Sequence, residues 1–172
     1  MNSHKKTQKG FTILVAVITA GILLIIAMSI GGIALKEQVL STANKESQIA
    51  FYAADTGMEC ALYWDQKKGA FAPGIDAATG NAIKPTVLPS INCNNGNVSQ
   101  MTDSGGDITH YSYTFLVSKL PIANSTSGSC AVVEITKDIS NTSKTYTTIQ
   151  SYGYDTCDPT LNRLERGITT TY

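Results

Sequence analysis

The longest apolar run in the chain covers residues 11–35, FTILVAVITAGILLIIAMSIGGIAL, and it contains no charged residue. As an α-helix it would be about 38 Å long, because each residue adds roughly 1.5 Å. A bilayer core requires only about 20 apolar residues, and the apolar part of a secretory signal peptide has about 7 to 15. A core helix is the alternative, but a domain this small rarely buries so long an uncharged segment. We therefore predict a transmembrane helix.

The helical pattern continues beyond residue 35, since residues 36–68 contain no proline and a single glycine. Small and apolar residues recur there at helical spacing and form one stripe: Ala50, Ala53, Ala54, Gly57, Met58, Ala61 and Leu62. We predict one continuous helix whose second half packs this stripe against a globular head. The small side chains would let a sheet or another helix approach closely.

Three glycines lie in the apolar half of this helix: Gly21, Gly31 and Gly32. Each weakens a helix by about 1 kcal/mol relative to alanine. They are therefore candidates for a bend or a locally unwound turn.

A different pattern begins after residue 68. Residues 69–107 are rich in proline, glycine and asparagine, and they predict a long irregular loop with turns at 92–97 and 103–107. β-Branched and aromatic residues then predict four strands, at 108–117, 130–138, 144–153 and 163–172. Short polar connections, including a turn at Asn141, Thr142 and Ser143, favour an antiparallel sheet with one buried face. A long helix followed by a sheet is an α+β arrangement.

Charge is distributed unevenly, although the 13 basic and 13 acidic residues balance over the whole chain. A net charge of zero gives no reason to expect a nucleic-acid partner. The first ten residues hold three lysines and His4 but no acid. A basic cluster before an apolar helix predicts a cytoplasmic N-terminus, so residues 36–172 would lie outside the cytoplasm.

The chain has four cysteines, Cys60, Cys93, Cys130 and Cys157. An even number in an exported domain indicates two disulfides. No C-x-x-C pair occurs, which argues against a zinc site. Four cysteines allow three pairings, and the two shortest loops favour Cys60–Cys93 and Cys130–Cys157.

Sequence signatures of catalysis are absent. The chain has no G-x-S-x-G elbow, no P-loop and no H-E-x-x-H motif. Of the two histidines, His4 precedes the apolar helix and His110 lies in a predicted strand. Asp103 and Asp107 flank a Ser-Gly-Gly turn that lacks the ligand number of a calcium loop. We expect no enzymatic activity, no metal and no cofactor.

The change from basic to apolar sequence occurs at residues 9–14, KGFTIL. Here the chain resembles type IV prepilins and the pseudopilins of type II secretion. Residues 51–62, FYAADTGMECAL, look like the helix of PilX-type minor pilins of pilus assembly. The resemblance covers about the first 65 residues, and the rest agrees with that family only in architecture. It implies a pilin-like fold, with the long helix packed on a four-stranded antiparallel sheet.

In that family a prepilin peptidase cuts after the glycine on the cytoplasmic face, and the new N-terminal residue is methylated. The resemblance implies a cut between Gly10 and Phe11 and an N-methylated Phe11. It divides the chain into a leader (1–10), a transmembrane and filament-core helix (11–35), its amphipathic continuation (36–68) and an extracytoplasmic head (69–172). The implied partners are prepilin peptidase, inner-membrane lipid before assembly, and other pilins through the helix.

One position departs from the family pattern. Major pilins have glutamate at the fifth residue of the mature chain, where this chain has Val15. In the family that carboxylate neutralises the N-terminal ammonium of a neighbouring subunit, and an unpaired ammonium in hydrocarbon is costly. A valine disfavours the chain as a repeating subunit but is tolerated at a filament tip; the alternative is a lineage in which the family's requirement at this position is relaxed.

These observations support a structural subunit, namely a minor pilin or pseudopilin located at the tip of a filament or priming its assembly. The alternative is a single-pass, membrane-anchored binding or adhesion module that never polymerises. We expect a bacterial inner-membrane location first and a pilus or cell-surface location afterwards. Adhesion, motility, DNA uptake and secretion leave the same sequence pattern.

Overall fold

The computed structural model describes residues 9–85, 87, 90–93, 96–107, 109–120, 128–141 and 144–172. Residues 1–8 of the predicted leader lie outside the described residues, as do Thr142 and Ser143 of the predicted turn. The chain divides into two compact units, Met1–Asn44 and Lys45–Tyr172. Helix α1 spans Lys9–Leu62 and is followed by a π-helical turn at Tyr63–Lys67.

Strands make up most of the remaining chain. Two short hairpins come first, formed by β1 (Gly74–Ile75) with β2 (Ala82–Ile83) and by β3 (Asn92–Cys93) with β4 (Gly96–Asn97). The main sheet contains β5 (Ser99–Gly106), β6 (His110–Leu120), β7 (Ser129–Asn141), β8 (Lys144–Tyr154) and β9 (Glu165–Thr171). These strands lie in chain order and every neighbouring pair is antiparallel. The α+β class is therefore confirmed.

The sheet has five strands rather than the predicted four. The four expected strands are present as β6 to β9, and the additional strand β5 forms from the end of the segment predicted as an irregular loop. That segment is polar and rich in glycine, so its sequence does not alternate as a strand usually does. Its pairing with β6 supplies the missing regularity, although the register shifts twice along it.

The inner face of the sheet carries the core of the second unit, Lys45–Tyr172, which is called the head from here on. Along β7 the buried residues alternate with partly exposed ones, and β6 and β8 show the same alternation. The predicted stripe of α1 packs on the inner face of β7 and β8, with Ala50, Ala53, Ala54, Met58 and Ala61 all buried. The prediction that small residues permit a close approach is confirmed.

The closest approach occurs where α1 crosses β8. A Cβ atom on Gly153 would lie 2.0 Å from the carbonyl oxygen of Ala50 and 2.2 Å from the amide nitrogen of Ala54. Two residues before Gly153 in β8, the hydroxyl of Ser151 donates to the carbonyl of Ala54 at 2.7 Å. Only glycine at position 153 lets the two backbones come so close.

Aromatic side chains fill the part of the inner face under β6. Phe71 lies parallel to Phe115 with ring centroids 6.2 Å apart, and it also contacts Tyr113. The hydroxyl of Tyr111 donates to the carbonyl of Phe71 at 3.2 Å. The chain after the helix is therefore anchored to the sheet by its own aromatic residue.

A buried ion pair joins the π-helical turn to the sheet. Lys137 of β7 lies 2.6 Å from a carboxylate oxygen of Asp65, and their side chains are only 6 % and 5 % exposed. The ammonium also donates to the hydroxyl of Thr147, and the hydroxyl of Tyr172 donates to Asp65 at 2.6 Å. A buried charge pair is tolerated when its remaining hydrogen-bonding capacity is satisfied in this way.

Candidate functional site at the N-terminal helix

The predicted processing junction lies at the start of α1. The helix begins at Lys9, so Gly10 and Phe11 belong to its first turn. The side chain of Phe11 is 74 % exposed. The cut between these two residues stays a prediction.

The apolar segment that follows presents its side chains outward. Every residue from 11 to 45 is exposed, and α1 is long and apolar enough to cross a membrane. The few hydroxyl groups are satisfied within the helix: Thr19 donates to the carbonyl of Val15 at 3.0 Å, and Ser29 donates to that of Ile25 at 3.0 Å. Such internal hydrogen bonds let a polar side chain enter hydrocarbon.

Val15 lies within this exposed apolar surface and is 41 % exposed. Position 15 is therefore accessible to a neighbouring molecule but offers only a branched aliphatic group. The first acidic residue along the chain is Glu37, after the apolar segment has ended.

The glycines of the apolar half do not unwind the helix. α1 remains α-helical at Gly21, Gly31 and Gly32, so the locally unwound turn that was considered there is not present. A Cβ atom at any of the three would have no heavy atom within 4 Å in this structure. Their small size leaves the helix surface open at those positions.

The head contains the disulfide that links the end of α1 to the loop after it. Cys60 and Cys93 are joined, with their Cα atoms 5.9 Å apart. Beside this bond the indole N–H of Trp64 donates to the carbonyl of Asn92 at 2.8 Å. Together they fasten the hairpin of β3 and β4 to the helix.

Cys130 and Cys157 are free thiols in the structure. Cys130 is buried at the start of β7, and Cys157 lies in the connection between β8 and β9, where its N–H donates to the carbonyl of Gly128 at 3.1 Å. Burial, together with the neighbouring Cys157 thiol, raises the pKa of Cys130 to about 12. The two thiols are neighbours, and the disulfide between them stays a prediction.

The polar residues considered for chemistry are occupied by structural roles. His110 lies at the exposed end of β6, with Nε2 3.1 Å from a carboxylate oxygen of Asp138. Asp103 forms an ion pair with Lys84, and the hydrogen bond from that lysine lowers the pKa of Asp103. The pKa of Asp107 is lowered chiefly by the hydrogen bond from the Thr109 hydroxyl.

Sequence reasoning missed the buried pair of Asp65 and Lys137. A signal for it existed, because Lys137 occupies an inward position in the alternation of β7 and a cation there requires a partner. The position of Asp65, just beyond the small-residue stripe, gave no indication that it would supply the carboxylate.

Comparison of the chain with models of protein families, with curated proteins and with solved structures gave no match.

Proposed function

We propose that this chain is a minor subunit of a type IV pilus or a related pseudopilus, located at the tip or priming assembly. Prepilin peptidase removes residues 1–10, and Phe11 becomes the N-methylated first residue. Before assembly the mature chain is anchored in the inner membrane by residues 11–35. It then enters the filament through α1 and displays its head at the surface. It is a structural protein rather than an enzyme.

One observation carries the proposal. The KGFTIL junction separates a basic segment from a helix that exposes its apolar residues and then becomes the helix that packs on the head sheet. A cut at Gly10 would leave this entire helix attached to the head. A cut after the apolar segment, as in an ordinary signal peptide, would remove it.

Val15 supports a tip position rather than a shaft position. In a shaft every subunit must neutralise the ammonium of a neighbour within an apolar filament core. A leading subunit has no neighbour ahead of it and needs no carboxylate. The cost of an unpaired charge in such a core amounts to several kcal/mol, which is enough to exclude Val15 from a repeated position.

The decisive measurement for processing is the intact mass of the chain from its native host. We expect a chain that lacks residues 1–10 and carries one additional methyl group on Phe11. Gly10→Val should leave the leader in place, because a branched side chain obstructs the extended backbone in a narrow protease cleft. Lys9→Arg, which keeps the charge, is the matched control and should be processed normally. An unprocessed wild-type chain would refute the proposal.

The position in the filament is tested by immunogold labelling. We expect wild-type protein at filament ends and in few copies. Val15→Glu supplies the carboxylate and should allow incorporation along the shaft, whereas Val15→Leu should not. If the wild type labels the shaft as densely as the major subunit, the assignment as a minor subunit is wrong.

The second candidate is a membrane-anchored adhesion module that does not polymerise. Val15 also favours this function, since a helix that does not join a filament has no need of the carboxylate. The same mass measurement separates the two functions, because an anchored module would keep Met1 and the basic segment.

A further inference from the structure

Strand β9 forms one edge of the main sheet. Along it, residues whose main-chain N–H and C=O groups bond to β8 alternate with residues whose groups point away from β8. Tyr172 and Thr147 exchange both of their N–H···O hydrogen bonds, at 2.8 and 3.0 Å. The register then places Thr170 and Ile168 in the same type of pair with β8. The N–H and C=O groups of the residues between them point away from β8; these are Glu165, Gly167, Thr169 and Thr171. Among the residues that the structure describes, no strand lies on that side of β9.

The opposite edge of the same sheet is protected. β5 shifts register twice against β6, and Gly105 and Gly106 have φ values of 108° and 102°. Lys84 reaches across this edge to pair with Asp103 and approaches the carbonyl of Gly105. Bulges and an edge lysine are the usual means by which proteins prevent strand addition.

β9 has neither a bulge nor a lysine, and its charged residues, Glu165 and Arg166, are confined to its first two positions. Its seven residues pair with β8 without a register shift, and they include no proline and no lysine. Threonine, which favours the extended conformation, occupies three of the positions. An exposed, regular edge of this kind is a template for another strand.

The direction of the helix excludes an antiparallel pair between the β9 strands of two copies of this chain, and a parallel pair, which would keep the helix direction, is the less stable type of pairing. Arg166 donates to Ser47 near the start of the helical segment of the head, and Tyr172 reaches Asp65 after its end. The helix therefore runs parallel to β9. An antiparallel β9–β9 pair around a two-fold axis would reverse the helix in the second copy. In the proposed function, by contrast, all copies pack with their helices running in the same direction.

We propose that β9 accepts an extended segment of a different polypeptide, which adds antiparallel to it as a sixth strand. This inference rests on the proposed function only for the exclusion of a second copy. The side chains of β9 that would lie beside the added strand indicate which residues that strand should carry. Glu165 favours a basic residue directly opposite. Gly167 has the ring of Tyr152 beside it, 3.4 Å from the position of its missing Cβ, which favours an apolar residue opposite.

Hydrogen exchange of single amides in the wild-type chain tests this proposal. The two samples are the full chain purified in detergent and the same chain in the native cell-envelope or filament fraction where it accumulates. We expect the amides of Gly167, Thr169 and Thr171 to exchange rapidly in detergent and about 100-fold more slowly in the native fraction. The amides of Ile168 and Thr170 should be slow in both samples and serve as internal controls.

A pair of variants tests the same edge by assembly. Thr169→Pro removes an outward N–H without removing a hydrogen bond to β8, and proline is tolerated at such edge positions. It should abolish the protection of Gly167 and Thr171 in the native fraction, whereas Thr169→Val should preserve it. A photoreactive residue at Thr171 should give a covalent product with a different polypeptide.

Two results would overturn the inference. One is unchanged rapid exchange of the outward amides in the native fraction, and the other is a photoproduct that contains two copies of this chain. Either could occur with a correctly processed, N-methylated Phe11, which would leave the proposed function intact. Conversely, a retained leader together with protected amides would refute the filament subunit and keep the strand addition.

Discussion

Replacement of Gly153 by alanine tests the close contact between α1 and the sheet. The new Cβ would lie 2.0 Å from the carbonyl oxygen of Ala50 and 2.2 Å from the amide nitrogen of Ala54, whereas real Cβ atoms almost never come within 3.0 Å of another heavy atom. Both contacts are backbone atoms, so no side chain can rotate away. The helix or β8 must move by about 1 Å, because a well-packed core absorbs little volume.

The expected loss of stability is about 2–3 kcal/mol. Overpacking a core costs about 1–3 kcal/mol, and rigid backbone contacts place this case near the upper end. Alanine returns about 0.4–1 kcal/mol by restricting the unfolded chain. For a protein of this size each kcal/mol lowers Tm by about 2–4 °C. The variant should therefore unfold roughly 5–10 °C below the wild type.

Trp64 provides the assay, since it is the single tryptophan and is held against Asn92 within the head. Its fluorescence follows unfolding of the full chain in detergent by urea or heat. Gly167→Ala is the matched control, because that glycine pairs with Tyr152 on the neighbouring strand and its new Cβ would meet only an ordinary contact at 3.4 Å. If both variants unfold at the wild-type midpoint, α1 does not pack on β8 as closely as described.

Three further predictions concern the head. Lys137→Met should lower the free energy of unfolding by about 3–5 kcal/mol, because it leaves Asp65 as a buried, unpaired carboxylate. Adding Asp65→Leu should recover most of that loss. Urea unfolding of the two variants measures both effects, and no recovery in the double variant would contradict the pairing. Under oxidising conditions Cys130 and Cys157 should form a disulfide, seen as a cross-linked peptide in a non-reduced digest. Two alkylatable thiols in denaturant would show that they do not pair. Burial first, and then its hydrogen bond with Glu165, raises the pKa of Tyr154 to about 12. The unfolded phenol ionises near pH 10, so stability should be complete below about pH 10 and fall as the pH rises towards 12. Urea midpoints across that range check the sign, and Tyr154→Phe should flatten the decline.

The structure of the N-terminal helix could be predicted directly from the sequence. A 3.6-residue repeat of small and apolar residues, with proline absent, permits little except a helix. The prediction of one helix across residues 11–68 was correct as far as Leu62, after which the chain forms a π-helical turn at Tyr63–Lys67. The processing junction and Val15 are likewise read from the order of residues. In the proposed function their chemistry would depend on a protease and on neighbouring subunits, which lie outside the fold of a single chain.

The sheet was predictable only in part. Strands β6 to β8 show alternation that a single sequence reveals, because each has one buried face, and β9 alternates more weakly between exposed and half-buried residues. β5 does not, since its residues are polar and its regularity comes from pairing with β6. Strand pairing is a long-range property, and a strand with weak alternation becomes visible only when its partner is in place.

What the sequence determined by itself is therefore local: the apolar helix, its small-residue stripe, the alternating strands and the charge step at Gly10. The tertiary structure decided which distant groups meet. It placed Asp65 against Lys137, brought Cys60 to Cys93, and set Cys130 beside Cys157. It also left β9 as the regular edge of the sheet. The local pattern follows from the periodicity of helices and strands. The contacts between distant residues depend on how the elements pack against each other, and no short segment of sequence encodes that packing.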